Sequence, residues 1–312
     1  MISSIFGKTK PINYIFLLVF LVIFYVLTQF YVLNLTFLTW NVGQGALAVL
    51  SLLATVVLLD VIVKRNKLTG NNSYAMLYFT LLVVLFPQIL GDHASLLCNF
   101  FLVLALRSVL RFKSMKSLRF KIFDATFWVL VASLFHVWAL LFLLLVLLAI
   151  YIFEPKNLGN WLAPIPAVIS FFLVVYAAAF LLGMPQYPSE HYSFTIHLTT
   201  WWTAMGASRL LAFFYLLLIL LMGIYTLVRT GKKGLGKLIS FRILFFAFIV
   251  ALFVILLTWD SGTGIIVVTF VPAAVFLASY IQSVKRERIL EILLMCSIFI
   301  PCLVFIFHQL LP

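Results

Sequence analysis

Long apolar runs recur from one end of the chain to the other, and no other feature limits the possible folds as much. The runs cover roughly 14–33, 43–63, 74–90, 94–110, 122–136, 138–153, 161–183, 209–228, 243–259, 264–282 and 289–308. A bilayer core of about 30 Å takes about 20 helical residues, and only helices or closed barrels satisfy their backbone polar groups in lipid. The runs are continuously apolar and lack the period-two alternation of a barrel strand. Composition agrees: 65% of the 312 residues are apolar and 9% charged, against about half and about a quarter in a soluble domain. With 21 basic and 8 acidic side chains, a soluble surface of this size could not stay wet. The expected fold is all-α: a polytopic transmembrane helical bundle of about eleven spans, forming a single integral membrane domain over residues 1–312.

The stretch 122–153 is the ambiguous one. It is a single apolar run of 32 residues with His136 and Trp138 at its middle. Two helices of about 15 residues would each reach only about 22 Å. It reads either as two short tilted spans or as one re-entrant hairpin, and both readings return the chain to the side it left.

Sidedness follows from the basic residues. Lys8, Lys10, Lys64, Arg65, Lys67, Arg107, Arg111, Lys113, Lys116, Arg119, Lys121, Lys156, Arg229, Lys232, Lys233, Lys237, Arg242, Lys285, Arg286 and Arg288 fall on the side of the N-terminus. Arg209 alone falls opposite. The positive-inside rule then places the N-terminus in the cytoplasm and the C-terminus outside. The first apolar run follows lysines, as in a signal peptide, but no small-residue cleavage site follows it, so it reads as a retained span. The net charge of +13 divides into +15 inside and −2 outside. It sets topology and carries no expectation of nucleic acid. Cys98, Cys296 and Cys302 lie within spans and read as small core residues.

The outer side holds Asp92, Glu190 and Asp260, and the five histidines His93, His136, His191, His197 and His308 map outside or to outer span ends. Asp92 with His93 closes a tight turn, where Gly and Asp favour turns and helix N-caps. It is also a carboxylate near the bilayer surface, able to act as general base on a hydroxyl. Asp260 in Trp-Asp-Ser-Gly has the same two readings, and Glu190 is a further candidate. His136 lies mid-run, where an ionisable ring is a functional candidate by position. Its other reading is a ring hydrogen-bonded to backbone between two short helices.

The outer segment 184–208 starts Met-Pro-Gln-Tyr-Pro, which is expected not to be helical. The stretch 193–205 is expected to form an amphipathic helix with His197 and Trp201 on one face. Trp201 and Trp202 are then interfacial anchors or the cover of a lipid-opening cavity. Arg209 can snorkel to headgroups or clamp a phosphate with its planar fork. The histidines show no H-x-x-x-H or H-x-x-E-H spacing, so any metal ligands would have to converge from separate helices. No metal and no cofactor is expected. The dense basic loop Arg107–Lys121 is accounted for by topology and anionic headgroups.

Several stretches carry a resemblance: Ile5-Phe6-Gly7-Lys8 with Pro11-Ile12-Asn13-Tyr14, the stretch Gly91 to Arg111, and Ile122-Phe123-Asp124 through Ala132-Ser133-Leu134-Phe135. These resemble a family of uncharacterised inner-membrane proteins of Bacteroidota, sometimes labelled beta-carotene monooxygenases. The organisation is also similar, more distantly, to multispan polyprenyl-phosphate-dependent glycosyltransferases. That likeness implies an outer carboxylate that activates the acceptor and basic residues that hold the donor phosphate. The expectation is group transfer from a lipid-linked donor on the outer side. Asp92 would be the base, with Asp260 or Glu190 in its place. His93, His136, His191, His197 and Arg209 would bind substrate, and Trp201 and Trp202 would cover it. The alternatives are a non-enzymatic subunit that partners other envelope proteins, and a lipid or small-molecule transporter.

Overall fold

The computed structural model describes residues 5–33, 42–194, 207–231, 234–258 and 264–310. These residues are helical nearly throughout, with no strand among them. The helices are α1 (Pro11–Leu27), α2 (Val42–Arg65), α3 (Tyr74–Leu85), α4 (His93–Leu110), α5 (Leu118–Ser133), α6 (Leu143–Phe153) and α7 (Leu158–Leu162). They continue as α8 (Pro164–Leu181), α9 (Tyr187–His191), α10 (Ala207–Thr230), α11 (Leu235–Leu257), α12 (Phe270–Ile281) and α13 (Glu287–Leu310). A π-helical turn, Thr28–Val32, extends α1. Tight 3-10 segments lie between α3 and α4 (Pro87–Gly91) and lead into α6 (Val137–Phe142) and α12 (Gly264–Thr269).

Eight helical segments among the described residues are long and apolar enough to cross a membrane: Pro11–Val32, Val42–Arg65, His93–Ser114, Leu158–Leu181, Ser208–Thr230, Gly236–Leu257, Gly264–Ile281 and Glu287–Ile306. Two further apolar helices, Tyr74–Leu85 and Val137–Phe153, are shorter. Large apolar side chains cover the outside of the bundle: Phe16 and Ile23 on α1, Phe213 and Phe214 on α10, Phe299 and Leu303 on α13 are all exposed. A soluble monomer rarely exposes so much contiguous apolar surface. The expected all-α fold is present, and its helices are apolar enough for an integral membrane protein.

The core forms around α3. Every residue from Tyr74 to Val84 is buried, and α1, α2, α12 and α13 pack around this helix. It stops early because Phe86 precedes a proline and is held out of the helical region (φ −124°, ψ 68°). Helices α8 and α13 lie at the periphery, mostly exposed. This placement corrects the reading of the cysteines. Cys98 is buried, but Cys296 and Cys302 are exposed, because α13 is an outer helix.

The run 122–153 divides into α5 and α6. His136 is extended (φ −143°, ψ 113°) and the 3-10 turn starts directly after it. Arg119, at the start of α5, lies over Gly159 in α7, so close that a Cβ there would strike its guanidinium. The two arms therefore leave from and return to one end of the bundle. That end also holds the Lys64–Asp60 ion pair (2.8 Å) and the Tyr14 hydroxyl on Asp60 (3.0 Å). Arg229 donates to the Ser283 carbonyl there (3.3 Å). At the opposite end the 3-10 turn 87–91 packs against the 3-10 segment 264–269.

Candidate functional site

Asp92 is the N-cap of α4. Its Oδ1 accepts the Ser95 backbone N–H at 3.0 Å, satisfying one of the donors that a helix start leaves open. Its Oδ2 lies 2.5 Å from Ser95 Oγ. The same Oγ lies 3.0 Å from His136 Nε2. Ser95 is fully buried, while Asp92 and His136 are partly exposed. One hydroxyl thus bridges a carboxylate and an imidazole that are 44 positions apart in sequence.

Local backbone chemistry brings the three together. Pro87 stops α3 and opens the tight turn that ends at Gly91. The extended His136 interrupts the 122–153 run and aims its ring at the start of α4. Gly264 closes the third side. A Cβ at Gly264 would overlap the Asp92 carboxyl group, so the backbone at Gly264 lies directly against it. Gln29 anchors the turn by donating to the Leu90 carbonyl at 2.7 Å, and its own Oε1 is buried with no hydrogen-bond partner among the described residues.

The other histidines are placed around this centre. His93 Nε2 is 3.0 Å from the hydroxyl of the buried Tyr25. His191 Nε2 is 2.9 Å from the Ser133 carbonyl, and its ring stacks on Tyr187 (centroids 5.2 Å apart, 17° between planes). The Tyr192 hydroxyl meets Ser133 Oγ at 2.9 Å, and burial holds its phenol above the ordinary pKa. Phe194 sets its edge on Trp138 (5.4 Å). The segment 187–194 is thus fastened over the His136 turn by Tyr192, His191 and Phe194.

One expectation for this segment changes. Its Pro-rich start forms the short helix α9, because Pro188 falls in the first turn, where a missing N–H breaks no bond. Glu190 is exposed on α9. Its backbone carbonyl takes the Ser193 hydroxyl at 2.8 Å. Arg209 lies in the first turn of α10. Six residues on, Tyr215 reaches Thr269 (2.9 Å) and Phe86 (centroids 5.2 Å apart), so Arg209 shares the Asp92 end of the bundle. Asp260, His197, Trp201 and Trp202 lie outside the described residues, as do residues 195–205 of the expected amphipathic helix. Among the described residues no three His, Cys, Asp or Glu side chains converge as a metal site would need.

Ser95, Ser133 and Tyr25 are the residues that sequence reasoning missed. The Asp-x-x-Ser spacing at 92–95 is an N-cap signature and was the available signal, but it speaks of helix starts and not of a bridge to His136. The paired hydrogen bonds can carry a proton in either direction. With Asp92 as carboxylate, Ser95 donates to it and accepts from His136 Nε2–H. With a proton on Asp92, both bonds reverse.

No protein-family model, curated protein or solved structure matches the chain.

Proposed function

We propose that the chain is an inner-membrane enzyme of the cell envelope that transfers a glycosyl or related group from a lipid-linked donor at its extracytoplasmic end. The bridge Asp92–Ser95–His136 carries this reading. In it Asp92 removes the proton of an acceptor hydroxyl as that oxygen attacks the donor carbon. The bond from that carbon to the lipid phosphate breaks, and the polyprenyl phosphate departs with the electron pair. Ser95 and His136 pass the proton away from Asp92. Arg209, at the same end, is assigned to the phosphate, with His93 and His191 beside the site. Partial exposure of Asp92 and His136 supports access, and the buried Ser95 supports a defined proton path.

The orientation belongs to the same reading. Eleven crossings put the N-terminus in the cytoplasm and the C-terminus outside. Support comes from the basic side chains gathered at one end of the bundle, where Arg65, Arg111, Arg119 and Arg229 sit, with the Asp92 centre at the other.

One observation favours a second reading. As N-cap, wedged on Gly264, Asp92 also holds two turns together, as it would in a non-enzymatic subunit that joins other envelope proteins. Membrane vesicles containing the chain, supplied with polyprenyl phosphate bearing a radiolabelled hexose, distinguish the two. Transfer of label out of the lipid fraction, lost in Asp92→Asn and reduced in Ser95→Ala and His136→Gln, is the expected result. No transfer by the unaltered chain, with a stably co-purifying envelope protein, replaces the enzyme reading with the subunit reading. Transfer that survives Asp92→Asn removes Asp92 as the base.

A further inference from the structure

At the basic end, away from the Asp92 centre, a cavity of about 490 Å³ opens between the C-terminal ends of α2 and α4. Four cationic side chains line it: Arg65 from α2, Arg107 from α4, and Arg111 and Lys113 from the 3-10 turn Arg111–Ser114 that follows α4. Asn66 and Ser114 add polar groups, and Val61, Ile62 and Leu110 supply an apolar wall. No carboxylate is among the lining residues. Arg107 in the last turn of α4 and Arg111 just after it both line the cavity. Arg107 Nε is buried and has no hydrogen-bond partner among the described residues. The side chain of Lys113 lies over Gly236, in the first turn of α11, where a Cβ would meet its ammonium at 2.6 Å. The positive end of a third helix therefore borders the same space.

The C-terminal carbonyls of α2 and α4 each attract a cation, which accounts for a basic residue at each helix end. They do not account for Arg107, whose Nε is buried without a partner among the described residues beside a cavity ringed by three further cations. Lys121, nearby, behaves differently: its ammonium is held by the Arg111 carbonyl (3.1 Å) and by Ser114 Oγ. The cavity is in the size range of small-molecule sites, and planar guanidinium forks suit phosphate oxygens.

We infer that this cavity is a phosphate-binding site, in which Arg107 and Arg111 grip the phosphate oxygens while Arg65 and Lys113 neutralise the remaining charge. The ligand class is a phosphate monoester or its lipid counterpart. The apolar wall accommodates the first carbons of a lipid tail, and a water-soluble phosphate uses the polar half alone. The site is separate from the proposed transfer centre and does not depend on it.

The test uses the full chain in nanodiscs of neutral phosphatidylcholine, with binding of short-chain phosphatidic acid followed by native mass spectrometry. Arg107→Gln with Arg111→Gln is compared with Arg286→Gln with Arg288→Gln, which removes the same charge from the basic end outside the cavity. The first pair is expected to weaken retention of phosphatidic acid at least tenfold and the second to leave it within twofold. Lys113→Gln, at an exposed position, is expected to give a several-fold loss and covers the case in which the double variant does not fold. Inorganic phosphate is then added at millimolar concentration. Competition assigns the site to soluble phosphates, and failure to compete assigns it to the lipid phosphate; both outcomes support the site. Equal losses in both double variants, or retention unchanged in Arg107→Gln with Arg111→Gln and in Lys113→Gln, overturn it.

Discussion

Asparagine caps a helix about as well as aspartate, whereas alanine does not, so structure and chemistry at Asp92 can be separated. Asp92→Ala is expected to lower stability by about 1 kcal/mol through loss of the cap. Asp92→Asn should unfold nearly as the unaltered protein does, yet lose transfer as completely as the alanine variant. Thermal unfolding in detergent beside the transfer assay reads both. Gly264→Ala tests the same carboxylate from the other side. Its methyl group overlaps Asp92, and overpacking of this kind costs about 1–3 kcal/mol. Transfer is expected to fall at least tenfold with Asp92 itself intact, and unchanged activity would show that the close fit has no bearing on the base. The capping role of Asp92 was legible in its tight turn. The partnership with Ser95 and His136 was not, because His136 reaches Ser95 only after two helices have packed side by side.

Helices that follow one apolar run were legible; their interruptions were less so. Pro87 announces the end of α3, and α3 stops two residues before it. The run 122–153 carries no Gly or Pro, and its break falls at His136, where the sequence shows an ionisable residue but no turn signal. Pro188 misled in the other direction, since a proline in the first turn starts a helix as readily as it excludes one. Nor does composition separate a central helix from an outer one: α3 and α13 are both apolar, yet one is wholly buried and the other mostly exposed. That contrast predicts opposite substitution patterns. Leu294, fully buried on α13, is expected to lose about 2–5 kcal/mol on change to alanine. Phe299→Ala, on the exposed face of the same helix, should be close to neutral. Phe299→Arg should instead impair insertion, by about 2.5–3.5 kcal/mol for an arginine near the middle of a span. Unfolding of the purified variants reads the first two, and the membrane-integrated fraction after synthesis reads the third.

Across the whole molecule the polar groups separate towards the two ends, with the histidine-rich centre at one and the cation-lined cavity at the other. The proposed eleven crossings put the chain termini on opposite sides. A fluorescent protein fused after Pro312 is expected to stay dark and alkaline phosphatase at the same place to be active, with the reverse at the N-terminus. A fluorescent C-terminal fusion would demand an even number of crossings and move the Asp92 centre to a different compartment or split it from the basic end. The short helix α3 bears on how such a protein meets membranes of differing thickness. At 12 residues it is about 18 Å long, well under a bilayer core of about 30 Å. Because it is enclosed, its length never has to match the lipid. The rim helices α1, α8, α10 and α13 meet the acyl chains, and they tilt or stretch the bilayer when the two lengths disagree. Hydrophobic mismatch is absorbed at the perimeter, and the turn that follows α3 holds its geometry whatever lipids surround the bundle.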